Sequence, residues 1–169
     1  MKKYSALVLL CLFLCSCGYH LRGTGSSLPP HIEKIHVPMF ENSTSRFELD
    51  VKLTRSVIDE LVARGKVDIA DDRQLADAVL IGEITAFRVN PIAFSGQATA
   101  DRYNITIIAK ITLTDLVEGR VFYSNPSFVY KKEYEVQEGV DFETVETEAI
   151  EDISGNFARS LVIMILEGF

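Results

Sequence analysis

The side chains able to do chemistry in this chain are few, and their spacing assembles no reaction. Three histidines occur, at positions 20, 31 and 36. His31 and His36 stand five apart, which is neither the i, i+4 spacing of a helical ligand pair nor a common zinc spacing. On an extended segment His36 alternates with Ile35 and Val37, so it faces away from their apolar side and reads as a solvated histidine. No Gly-x-Ser-x-Gly elbow presents a serine nucleophile. No glycine-rich loop is shaped to cradle phosphates. The acids in Asp71-Asp72 and Glu151-Asp152 are adjacent, so their side chains diverge on any regular element. They read as surface charge. The sequence predicts no catalytic centre, no metal and no cofactor.

The cysteines carry the one covalent chemistry on offer. Lys2 and Lys3 precede an uncharged, apolar run from Ala6 to Leu14. A short basic region followed by about 7–15 apolar residues is the pattern of a secretory signal, whereas spanning a bilayer takes about 20. Then comes Leu14-Cys15-Ser16-Cys17, which resembles the lipobox of bacterial lipoproteins. Cys17 has an aliphatic residue three positions before it and a small residue immediately before it. Cys15 follows Leu14, which is too large. The expected processing removes residues 1–16 and leaves Cys17 as the single cysteine. An odd cysteine in an exported chain otherwise calls for an intermolecular bond or a reactive thiol. Acylation of Cys17 disposes of it, and two or more acyl chains hold a protein stably to a membrane. Residue 18 is Gly rather than Asp, which favours the outer membrane over retention at the inner one.

These readings divide the chain into a signal peptide at 1–16, an acylated amino terminus and short tether at 17–30, and one domain at 31–169. The tether is rich in Gly, Ser and Pro. Beyond it Glu33 to Phe40 reads as a strand, with Ile35, Val37 and Met39 on one face. Ser45 and Glu48 have the spacing of a capping box. They precede a helix whose stripe is Leu49, Leu53, Val57 and Leu61, stopped by Gly65. A short strand is expected near 67–70, and a longer one at 77–90 that ends at Pro91. From Tyr103 to Leu113 apolar and mostly polar residues alternate, as in a sheet covered on one side only. Asn125-Pro126 interrupts the last extended stretch, which implies an edge or a bulge. Asp141 then caps a second helix, whose closing run, Leu161 to Leu166, is apolar all round. That run belongs in the core or against a partner. The predicted fold is α+β: two helices on one face of a four- to five-stranded, largely antiparallel or mixed sheet.

Without residues 1–16 the chain holds 15 basic and 24 acidic residues, a net charge of −9. That balance argues against nucleic acid as a partner, because phosphate neutralisation needs clustered Lys and Arg. The charge is uneven. Residues 77–136 hold six basic and seven acidic residues, whereas 140–169 hold one and seven. An anionic ligand would therefore meet the strands rather than the last helix. The candidates there are Arg88, Arg102, Lys110, Lys131 and Lys132.

Cys17-Gly18-Tyr19-His20-Leu21-Arg22-Gly23 resembles the mature amino terminus of the lipopolysaccharide-assembly lipoproteins, the LptE family. Leu28-Pro29, the stretch Val37-Pro38-Met39-Phe40-Glu41-Asn42-Ser43-Thr44, and Ala76-Asp77-Ala78-Val79-Leu80-Ile81-Gly82 resemble the same family, in order. The resemblance implies a non-enzymatic role: a plug and assembly partner inside the outer-membrane β-barrel LptD. Together the two deliver lipopolysaccharide to the outer leaflet, and the lipoprotein itself touches the glycolipid. Arg88, Lys110, Lys131 and Lys132 are the residues expected to make that contact. The tip at Phe94-Ser95-Gly96-Gln97 resembles the family's sheet-end loop. A reading from another class is an outer-membrane lipoprotein that activates a periplasmic cell-wall enzyme. Such a regulator needs a long tether, and only about a dozen residues separate Cys17 from the first strand.

Overall fold

The computed structural model describes residues 27–94, 100–135 and 142–168. The signal, Cys17, most of the tether, the loop at 95–97 and the expected cap at Asp141 lie outside the described residues. Among the described residues nine elements follow in order. They are β1 (Lys34–His36), β2 (Glu41–Asn42), α1 (Leu49–Arg64), β3 (Asp68–Ile69), a 3₁₀ turn (Arg73–Leu75), β4 (Ala78–Phe94), β5 (Ala100–Asp115), β6 (Arg120–Glu135) and α2 (Phe142–Glu167). The sheet runs β3-β1-β4-β5-β6, and β2 also pairs with β4. The three short strands are parallel to their neighbours, and the three long ones are antiparallel. The predicted α+β architecture is the observed one, with six strands.

The extra strand comes from proline. The expected strand at 33–40 ends at His36, just before Pro38, which has no N–H to give a ladder, and pairing resumes only past Phe40, in β2. The break also changes which side chains face inward. Ile35 and Val37 are buried as expected, but Met39 is 59 % exposed and Phe40 takes the core position at 2 %. Thr54 of α1 accepts a hydrogen bond from the Phe40 N–H at 2.9 Å, so the donor freed by the break stays satisfied.

The alternation in β5 appears as read. Ile105, Ile107, Ala109, Ile111 and Leu113 are all fully buried, under Leu49, Leu53, Val57 and Leu61 of α1 and Phe157, Leu161 and Ile165 of α2. The two helices lie parallel, because Lys52 meets Glu151 near one end and Arg64 meets Glu167 at the other. The apolar run that closes α2 goes into the core: Leu161, Val162, Ile165 and Leu166 are at most 2 % exposed. Among the described residues no helix is long and apolar enough to cross a membrane.

Two local expectations are corrected and a third is met. The Ser45/Glu48 capping box does not form. Glu48 itself sits at the helix start in a left-handed conformation (φ 59°) without a side-chain cap. The loop is organised instead by Asn42, whose Oδ1 accepts from the N–H and hydroxyl of Thr44 and whose Nδ2 donates to the Arg46 carbonyl. Pro91 does not end β4, which continues to Phe94 through register shifts on either side of Ala93. At Asn125-Pro126 the expected edge and bulge are both present, and the strand continues through them. β6 is an edge strand, and its pairing slips between Ala109↔Phe128 and Ile111↔Asn125, so Pro126 and Ser127 fall in a bulge where a missing donor costs little.

Candidate functional site

The strand register sorts the basic candidates by face. Arg88 pairs with Thr106 and Thr106 with Lys131, which places all three side chains in one row across the face opposite the helices. With strands about 4.8 Å apart, Arg88 and Lys131 stand roughly 10 Å from one another across the central threonine. Both are exposed, and among the described residues neither makes an ion pair. Thr106 is only 8 % exposed, and its hydroxyl donates to Asn104 Oδ1 at 3.1 Å. On one side the row is bordered by Asn90, Asn104 and Glu133. On the other lie Ala86, Ile108 and the exposed Val129. Two separated cations beside a small apolar strip suit an anionic group carried on an apolar body.

The remaining candidates separate from that row. Lys110 is exposed on the same open face, opposite Glu83, whose carboxylate accepts a hydrogen bond from Ser43. Lys132 is opposite Ile105 and therefore on the helix side, where it forms an ion pair with Asp152 of α2. Arg102 reaches Glu135 across the β5–β6 ladder at 2.9 Å. Four of the five cations thus share the open face, and two of those four form the row.

Residues the sequence left unassigned fasten the opposite end. The Asp115 carboxylate is fully buried where β5 ends. Its Oδ1 accepts the N–H groups of Val117 and Glu118, and its Oδ2 meets His31 Nε2 at 2.7 Å. The Glu118 N–H is the strongest influence on this carboxyl, against the opposing effect of burial and with the help of His31, and holds it below its ordinary value of 3.8. Glu118 also lies close, within 4.8 Å by its ligand atoms, but it is engaged by Arg120. The cluster is satisfied by protein groups and works as a fastening. His36, read as solvated, is half-buried, with Nδ1 2.9 Å from the Ala70 carbonyl. Pairing across a turn from a residue 84 positions away leaves no local signal, so His31 could not be found by spacing.

The two internal stretches quoted above meet in space. β2 pairs with Glu83 and Ile84, and the Ser43 N–H donates to the Ile84 carbonyl at 3.0 Å. Phe40 lies over Gly82 so closely that a Cβ there would sit 2.7 Å from the ring. Asp77 holds β1, its Oδ2 accepting from the N–H groups of Glu33 and Lys34. The glycine and the aspartate are therefore packing and pairing devices.

A family profile described as LptE, Lipopolysaccharide-assembly, matches residues 32–165. No curated protein sequence matches the chain. Among solved structures, a hypothetical protein from Chlamydia trachomatis superposes with a TM-score of 0.56 at 9 % identity, covering 82 % of this chain and 97 % of that one. A protein from Xanthomonas campestris gives 0.55 at 16 %, covering 81 % and 88 %. Uncharacterized lipoprotein B from Nitrosomonas europaea gives 0.51 at 11 %, covering 87 % and 92 %. At such identities these likenesses speak for the fold alone.

Proposed function

Because this chain belongs to the LptE family of lipopolysaccharide-assembly proteins, we propose that it is a non-enzymatic outer-membrane lipoprotein, acylated on Cys17, that plugs and helps assemble the LptD barrel. The observation that carries the reading is the family match over residues 32–165, joined to a sheet with one face buried under helices and the other polar and open. A wide barrel has a polar lumen. A plug for it needs a compact core and a charged surface, and an open face bearing Arg88, Lys110, Thr106 and Glu133 meets that requirement. Lipid on Cys17 keeps the protein at the membrane and raises its effective concentration beside the barrel during assembly.

Within this reading the Arg88–Thr106–Lys131 row is the glycolipid contact. Lipopolysaccharide carries phosphates on an acylated body, and the row offers two cations next to an apolar strip. Lys132, tied to Asp152, is not available in the same way. Affinity purification of the tagged, acylated protein from detergent-solubilised outer membranes tests the plug. A stoichiometric, salt-resistant large β-barrel is expected, and a cell-wall synthase in its place would move the regulator reading to the front. Glycolipid binding by the Arg88→Ala/Lys131→Ala variant tests the row: a loss of tenfold or more is expected, and unchanged binding removes this contact.

A further inference from the structure

The polar contacts around residues 27–34 show where the tether joins the folded body. The Ser27 N–H donates to the Leu166 carbonyl at 2.6 Å, and its hydroxyl donates to Ile165 O at 2.8 Å, at the last turn of α2. Gly168, with φ +68°, passes so close that a Cβ there would lie 3.1 Å from Ser27 Cβ. Leu28 and Ile32 are buried, His31 is held by Asp115, and the Glu33 and Lys34 N–H groups are held by Asp77. This is the end of the sheet where β4 starts and β5 finishes. Tyr123, paired with Leu113 opposite Leu80, meets Met164 one turn before the α2 terminus, so Ser27 lies at or below the level of Leu80.

The far end is distant. From Leu80 to Phe94 the ladder has twelve steps, since Thr85 and Ile92 fall in bulges, which makes about 40 Å. The ten steps from Cys17 to Ser27 reach at most about 33–36 Å even when fully extended. We propose that this clamp gives the anchored protein a single polarity: even fully extended the tether is too short, by about 4 Å, for the body to stand on its own leaflet with the Phe94 end down. The base stays with the anchor, and the Arg88–Thr106–Lys131 row is carried beyond it, some seven ladder steps or about 23 Å past Leu80. The inference rests on acylation of Cys17. It adds that the fastened segment at 27–34, and not the lipid alone, sets the reach.

The test uses the full acylated protein in phosphatidylethanolamine/phosphatidylglycerol vesicles that contain a headgroup quencher. Fluorophores are placed by Ile92→Cys near the far end and by Val117→Cys at the base, both exposed positions. Intact mass reports the lipid on Cys17 independently. In the parent chain the base probe should be quenched at least as strongly as the far probe. Ten Gly/Ser residues inserted after Arg22 raise the reach to about 66–72 Å, and the far probe should then gain quenching relative to the base. A Ser27→Pro/His31→Ala variant, which frees the segment, should shift in the same direction. A parent chain quenched more strongly at its far end, or a lengthened chain that does not change, overturns the proposal. A chain whose intact mass shows no lipid on Cys17 removes the premise and the proposal together.

Discussion

On the base side of the Ile84–Ala109 pair the sheet is up to five strands wide, with β2 following β1 along β4, and lies under both helices; beyond it only β4, β5 and β6 continue, and α1 has not yet begun. The base holds the fully buried Ile35, Leu53, Leu61, Leu80, Ile111 and Leu113. In the outer half only the central strand keeps fully buried residues, Ile105 and Ile107; their neighbours Phe87, Val89, Tyr130 and Tyr134 are partly buried, and the rings of Tyr103 and Tyr134 stack 5.6 Å apart. Both halves obey the same alternation of faces. What differs is how much apolar area the second layer covers, and burial supplies most of the stability. The base is built to hold the molecule together. The outer half keeps its shape by strand pairing and leaves a face and an edge free for contact.

The largest break in this comparison comes from the base core. Leu61→Ala should cost about 2–5 kcal/mol in denaturant unfolding, whereas Val89→Ala in the outer half should cost about 1 kcal/mol. Equal costs would show that the halves are not unequal. Next, Gly82→Ala forces Phe40 to move, and overpacking of this kind should cost about 1–3 kcal/mol. A crystal structure of the variant would show the displaced ring. A smaller effect concerns acid. The folded-state pKa of Asp115 is lowered, so its contribution is complete above the ordinary value of 3.8 and disappears as pH falls through the lower folded value. Thermal unfolding of Asp115→Asn below pH 4 should therefore be less sensitive to pH than that of the parent chain. Smallest of all, Lys132→Ala should lose about 0.2–1 kcal/mol with its exposed partner Asp152. Arg88→Ala should change stability by less than about 0.5 kcal/mol, so any effect of the latter on binding reports the contact itself.

Hydrogen exchange sharpens the same contrast. Amides of β5 from Ile105 to Leu113 should exchange only by global unfolding, and those of β6 from Tyr130 to Glu135 by local opening at the edge. Uniform protection along β6 would contradict the picture.

Much of the architecture was legible because its signals are local. The period-two alternation of residues 103–113 and the helical stripe of residues 49–61 each follow from one element burying one face. The bulge at Pro126 follows from a missing N–H. The face on which Lys132 lies was not legible, since the register of β6 shifts by the bulge just before it. The start of α1 was misread for a related reason: Ser45 and Glu48 fit a cap by spacing, but Asn42, held beside β4 by β2, fixes the loop first.

The sequence alone determined that this is an α+β chain with a one-sided sheet, two helices and an acidic surface, because periodicity and composition act through neighbours along the chain. It also supplied the residues by which the family is recognised. Only the tertiary structure decided that Phe40 must sit on Gly82, that Asp77 and Asp115 are fastenings, and that Arg88 and Lys131 share a row. Each of those depends on strand order and register, which bring together residues tens of positions apart and leave no trace in local spacing.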